Sequence, residues 1–105
     1  MDEILTKMRE EYGEVLAVRT KNHLFVFKHP QEKAFALVSR YLDKMMNNKL
    51  GEGAWELVSA LVVYPQDAKE ILTRKPALIP YLAGKIFSWL GGDEIEEELS
   101  PFAGP

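Results

Sequence analysis

Apolar residues at Ile4, Leu5, Met8 and Tyr12 recur at helical spacing, which predicts a short helix from Asp2 to Tyr12. Asp2 and Glu3 sit at its electropositive N-terminal end, and Gly13 follows where a left-handed cap belongs. The pattern then changes period. Glu14 to Thr20 and His23 to Lys28 are rich in β-branched and aromatic residues, with Lys21-Asn22 between them, the signature of a β-hairpin. Leu24, Val26 and Lys28 fall on one face of the second strand and His23, Phe25 and Phe27 on the other. Neither face is polar. One is expected against the domain's helices and the second under the N-terminal helix or a partner molecule, because an isolated hairpin is not stable.

Helical spacing returns after Pro30, a residue suited to a first turn, and runs from Gln31 to Asn48. Phe35, Val38, Leu42, Met45 and Met46, flanked by Ala34, Leu37 and Tyr41, make a broad apolar stripe expected to face the core, with Met45-Met46 filling gaps in it. Lys33, Arg40 and Lys44 lie on the opposite side. Lys49 to Gly53 reads as a loop. Ala54 to Tyr64, stopped by Pro65, is apolar almost all the way round, so it is expected as the central helix, covered on every side. A short helix starting at Gln66 or Asp67 carries Ala68, Ile71 and Leu72, and a last helix from Pro76 to Leu90 ends at Gly91-Gly92.

These elements amount to one mostly helical α+β domain over residues 1–92. Its order is a short N-terminal helix, a β-hairpin and then a bundle of about four helices. Residues 93–105 form an acidic tail, expected to be flexible, in which Ile95, Leu99 and Phe102 are spaced as anchors for a groove. A chain of 105 residues suits a single domain with a real core.

The net charge of −3 conceals an asymmetry. Five of the sixteen acidic residues follow Gly92, where no cation stands, leaving eleven against thirteen cations in the body. A nearly neutral body lacks the dense basic stripes that hold nucleic acid, so no nucleic-acid partner is expected. Met1-Asp2-Glu3 is acidic where a secretory leader is basic, and the apolar run from Pro76 to Leu90 is broken and short of the roughly 20 residues a bilayer requires. No signal peptide and no membrane association are expected.

Candidate chemistry is sparse. There is no cysteine, hence no disulfide and no thiolate ligand or nucleophile. His23 and His29 have no third nitrogen or sulfur donor to complete a zinc site. Gly51-Glu52-Gly53 resembles a phosphate loop only in its glycines, since Glu52 places a negative charge where phosphate would lie. Ser39, Ser59, Ser88 and Ser100 stand in no nucleophile motif. The reading is therefore of a protein with no catalytic, metal or cofactor site, whose aromatics Trp55, Tyr64, Tyr81, Phe87 and Trp89 serve packing first. The candidate protein-binding residues are Phe25, Phe27, Trp55, Tyr64, Ile95, Leu99 and Phe102.

One set of residues is suggestive as a group: Phe27-Lys28-His29-Pro30, Phe35, Leu61-Val62-Val63-Tyr64-Pro65, Ile71-Leu72, Pro76-Ala77-Leu78 and Gly91-Gly92. Their succession resembles the small tail assembly chaperones of tailed bacteriophages. Those often read as a strand ending in a Phe-x-x-Pro element, a helix, a Val-Val-Tyr-Pro type stop, a charged short helix and a proline-led closing helix. The match spans Phe27 to Gly92, with His29 where the family often has arginine and with an added N-terminal helix and hairpin. The resemblance implies a non-enzymatic protein in the cytoplasm of an infected bacterium. It would keep a long helical tape-measure protein soluble during tail assembly and would self-associate, with no cofactor. The alternatives are a minor structural protein of the virion, such as a connector or baseplate part, and a small ligand-binding or enzymatic domain.

Overall fold

The computed structural model describes residues 2–95, and it has the expected mostly helical α+β architecture. Helix α1 (Asp2–Tyr12) ends at Gly13, whose φ of 80° lets its amide bond back to the Arg9 carbonyl at 2.8 Å. Strands β1 (Val15–Arg19) and β2 (Leu24–Lys28) form the hairpin, in antiparallel register from Val15↔Lys28 to Arg19↔Leu24. Its turn is closed by the Thr20 amide on the His23 carbonyl (2.8 Å) and by the His23 amide on the Thr20 hydroxyl (3.1 Å).

A 3-10 turn (Gln31–Lys33) leads into helix α2 (Ala34–Met46), and helix α3 (Leu50–Leu61) follows after a short turn. Two boundaries differ from the sequence reading. Helix α3 starts at Leu50, inside the expected Lys49–Gly53 loop, and it stops at Leu61. The next three residues are a third strand, β3 (Val62–Tyr64), antiparallel to β2 with Val26 opposite Tyr64 and Phe27 opposite Val62. Two β-branched residues and a tyrosine fit a pleated ribbon better than a last helical turn, and Pro65 disfavours helical backbone at the residue before it. The sheet order is β1-β2-β3, so β2 is its centre. Helix α4 (Ala68–Arg74) and helix α5 (Leu78–Trp89) complete the domain, with Pro76 and Ala77 in the turn before α5 and Pro80 in its first turn. Gly91 takes φ 109°, and Gly92–Glu94 form a 3-10 turn, so the tail's first acidic residues belong to the folded body.

Alternation along β2 explains the layering. Phe25 and Phe27 point inward with Val18 of β1 and are fully buried against Leu57, Val58 and Leu61 of α3, Leu72 of α4 and Leu82 and Ile86 of α5. Val26 points the other way, also fully buried, on the side where Met8 of α1 is buried. The sheet thus lies between α1 and the bundle, with Phe25 and Phe27 covered on one face and Val26 on the other, while Ala17 and Arg19 on the α1 side of β1 stay exposed. Helix α3 is central as expected, between α2 and α5. It does have a polar edge, at Glu52 and Glu56, and Ala60 is exposed. Each large side chain sealed in this core contributes about 1.5–3 kcal/mol of transfer free energy.

Candidate protein-binding surface

The binding residues inferred from sequence do not gather in one place. Phe25 and Phe27 are core residues, because the β2 face they occupy is roofed by α3 and α5. Trp55 is half-buried and packs on the core from the side of α3. Tyr64 is half-buried at the edge strand β3, where it lines two open clefts flanking α1, of about 430 and 490 Å³, both of which also touch Ile4. Ile95 is 67% exposed just beyond the last turn, and Leu99 and Phe102 lie outside the described residues. A further cleft of about 510 Å³ beside α3 is lined by His29, Pro30, Leu37, Ala60 and Leu61. His29 is held there by the Gln31 amide, which donates to its Nδ1 at 2.8 Å, and by edge-on contact with Trp89 at 5.1 Å.

Four of the seven large apolar side chains exposed among the described residues lie on α2, against the expectation for that helix. Phe35 and Met46 are each 83% exposed, and Leu42, Met45 and the first residue of α3, Leu50, are also exposed. The ends of the stripe expected in the core, Phe35 and Met46, look outward, Leu42 and Met45 are partly exposed and Val38 is half-buried, and Met45-Met46 are absent from the core. The line that packs is Leu37 and Tyr41, Tyr41 being buried with its ring 5.7 Å from Phe87. Burial pushes the Tyr41 phenol pKa up.

Charge agrees with this orientation. Arg40 and Lys44, which the sequence reading had put toward solvent, lie along the α3 side. Arg40 bonds both oxygens of Glu56 (Nε to Oε1 2.5 Å, Nη2 to Oε2 3.4 Å), and Lys44 pairs with Glu52 and, at 3.7 Å, with Glu56. Two cations four residues apart thus meet two carboxylates four residues apart on the next helix. That spacing match was the readable signal for which side of α2 faces inward. It leaves the outer face with Phe35, Ser39, Leu42 and Met46 in line and little charge.

This network carries a pH dependence of definite sign. The hydrogen bond from Arg40 holds the Glu56 carboxyl below its ordinary value, and that from Lys44 does the same for Glu52. Depressed carboxyls contribute fully above the ordinary carboxylate range, and the contribution is lost as pH falls through that range and below. Glu56→Gln is expected to lower the urea midpoint slightly at neutral pH, with the loss shrinking as pH falls through and below the ordinary carboxylate range. Equal losses at neutral pH and below that range would show that the ion pairs do not act.

Among the described residues, no three His, Asp or Glu side chains gather as a metal site, and no helix is long and apolar enough to cross a membrane. What the surface offers chemically is adhesion: a flexible methionine pair and a phenylalanine on a rigid helix, a combination that adapts to apolar partners. Comparison with protein-family models, with curated proteins and with solved structures finds no match to this chain.

Proposed function

We propose that this protein is a non-enzymatic assembly factor that covers an apolar stripe of another polypeptide with the outer face of α2. The single observation carrying this reading is the exposed row of Phe35, Leu42, Met45, Met46 and Leu50, five of the seven large apolar side chains exposed among the described residues. A helix that presents such a row fits the groove or the stripe of a second helix, read at intervals of three and four residues. With the resemblance of the Phe27–Gly92 segment to phage tail assembly chaperones, the partner proposed is a long helical tape-measure protein, kept soluble until the tail tube forms around it.

Co-expression with a tape-measure fragment tests this. The fragment is expected to become soluble and to co-elute with the intact protein, and to be lost to the pellet when Phe35→Glu and Met46→Glu are combined. An insoluble fragment with the wild-type protein, or undiminished rescue by the double variant, would sink the proposal. Mass spectrometry of purified particles separates the virion-component alternative: an assembly chaperone is absent from finished particles, a connector or baseplate part is present.

A further inference from the structure

We infer that the cleft of about 510 Å³ beside α3 is the seat of this chain's own acidic tail, with Leu99 and Phe102 entering it and Glu96, Glu97 and Glu98 lying against its basic rim. The cleft is lined by Leu37 and not by the row from Phe35 to Met46, so the inference does not rest on the function proposed above.

Three observations select this occupant. The first is the make-up of the cleft. Pro30, Leu37, Ala60 and Leu61 give it apolar walls, and Lys28, His29 and Lys33 stand beside them with a single acid, Glu32. Its volume falls within the roughly 300–1,000 Å³ of pockets that enclose small ligands. Apolar walls under a cationic edge suit a segment that carries large apolar side chains and carboxylates together.

The second is charge. Lys28 and Lys33 are exposed and take part in no ion pair among the described residues. Helix α2 opens beside them with no acidic residue in its first turn and no side-chain cap, so its electropositive end is uncompensated as well. His29 adds a donor, because its Nδ1 accepts the Gln31 amide and the hydrogen of the neutral ring is then on Nε2. The tail brings the opposite sign. Glu96, Glu97 and Glu98 are three successive carboxylates, and no cation follows them through Pro105.

The third is reach. The end of α5 already stands at the cleft, where the Trp89 ring meets His29 edge-on at 5.1 Å. Gly91, at φ 109°, turns the chain off the helix. The Glu94 and Ile95 amides then bond back to the Gly91 and Gly92 carbonyls (3.0 and 3.3 Å), which keeps Ile95 close to that end. Residues 96–102, outside the described residues, span up to about 25 Å when extended, about twice the width of a helix with its side chains. That length is enough to pass Trp89 and enter the cleft.

Because the chain has no cysteine, a spin label on Ser100→Cys in the full chain reads where the tail lies. The amide signals of His29, Leu37 and Ala60 are expected to lose most of their intensity, and those of Lys21 and Asn22 at the far end of the hairpin to keep theirs. Lys28→Glu combined with Lys33→Glu, both exposed and outside the core, is expected to restore the lost signals with an unchanged melting curve. Broadening that is absent, that falls elsewhere or that persists in the double variant overturns the inference. A mixture of spin-labelled protein without isotope enrichment and enriched protein without the label is expected to keep every signal. Loss at the cleft in that mixture would hand the site to the tail of another copy and overturn the intramolecular seat.

Discussion

Replacing Phe27 by alanine is expected to destabilise the domain by about 3–5 kcal/mol, whereas Phe35→Ala changes it by no more than about 0.5 kcal/mol. The residue type is the same and the difference is position. Phe27 stands on the central strand, opposite Leu16 on one side and Val62 on the other, and none of its surface reaches solvent. Truncation there removes the ring's transfer free energy and leaves a cavity walled by α3 and α5, elements too well packed to collapse into it. A domain of this size has about 5–15 kcal/mol in all. The variant is therefore expected to melt more than about 10 °C below wild type, if it accumulates as folded protein. Phe35 loses mostly solvent-exposed surface. Thermal melts of the two variants at low concentration decide the matter. Equal losses would mean that β2 is not the centre of the core, or that the α2 face is covered within the monomer.

That contrast also marks what could be read from the chain alone. The hairpin's existence, turn and partition into two faces were legible, because period-two alternation and the Lys21-Asn22 turn are local. Which face would be covered was not, because both are apolar and both covers arrive from elsewhere: α1 from before the hairpin, α3 and α5 from after it. Phe25 and Phe27 were therefore candidates for a partner that the protein's own bundle supplies.

The run Leu61-Val62-Val63-Tyr64 shows a second kind of ambiguity. A continuous apolar stretch has no period, so helix and strand look alike in it. The discriminating signals were the β-branched pair and the proline behind Tyr64, and they were outweighed by the helical spacing that precedes them. In α2 the difficulty was the reverse. Two apolar lines share one helix, Leu37 with Tyr41 and Phe35 with Leu42, and periodicity ranks the longer line as the core. The choice shows in the packing of Leu37 and Tyr41 on the core and in the matching charges of the following helix, which makes orientation a property of the pair and not of α2 alone.

The two glycines at the start of α3 are expected to respond to the same substitution with opposite sign. A methyl group on Gly53 would stand 2.8 Å from Cβ of Lys44, closer than side-chain carbons approach one another, and in ordinary contact with the Tyr41 carbonyl oxygen at 3.5 Å. Neither atom is the free end of a flexible chain, so α2 and α3 must separate for the methyl to enter. Separation loosens the seat of Tyr41 and stretches the pairs of Arg40 and Lys44 with Glu56 and Glu52. Gly53→Ala is expected to cost about 1–3 kcal/mol, in spite of alanine's better helix propensity. At Gly51 a Cβ meets nothing within 4 Å, and its backbone is already helical. Gly51→Ala should therefore stabilise by about 0.4–1 kcal/mol by restricting the unfolded chain. Urea denaturation of both variants checks the pair. If Gly53→Ala proved as favourable as Gly51→Ala, the close approach of α2 and α3 would be wrong. With it would go the rotation that turns Phe35, Leu42 and Met46 outward, since that approach and the ion pairs beside it hold α2 in its orientation.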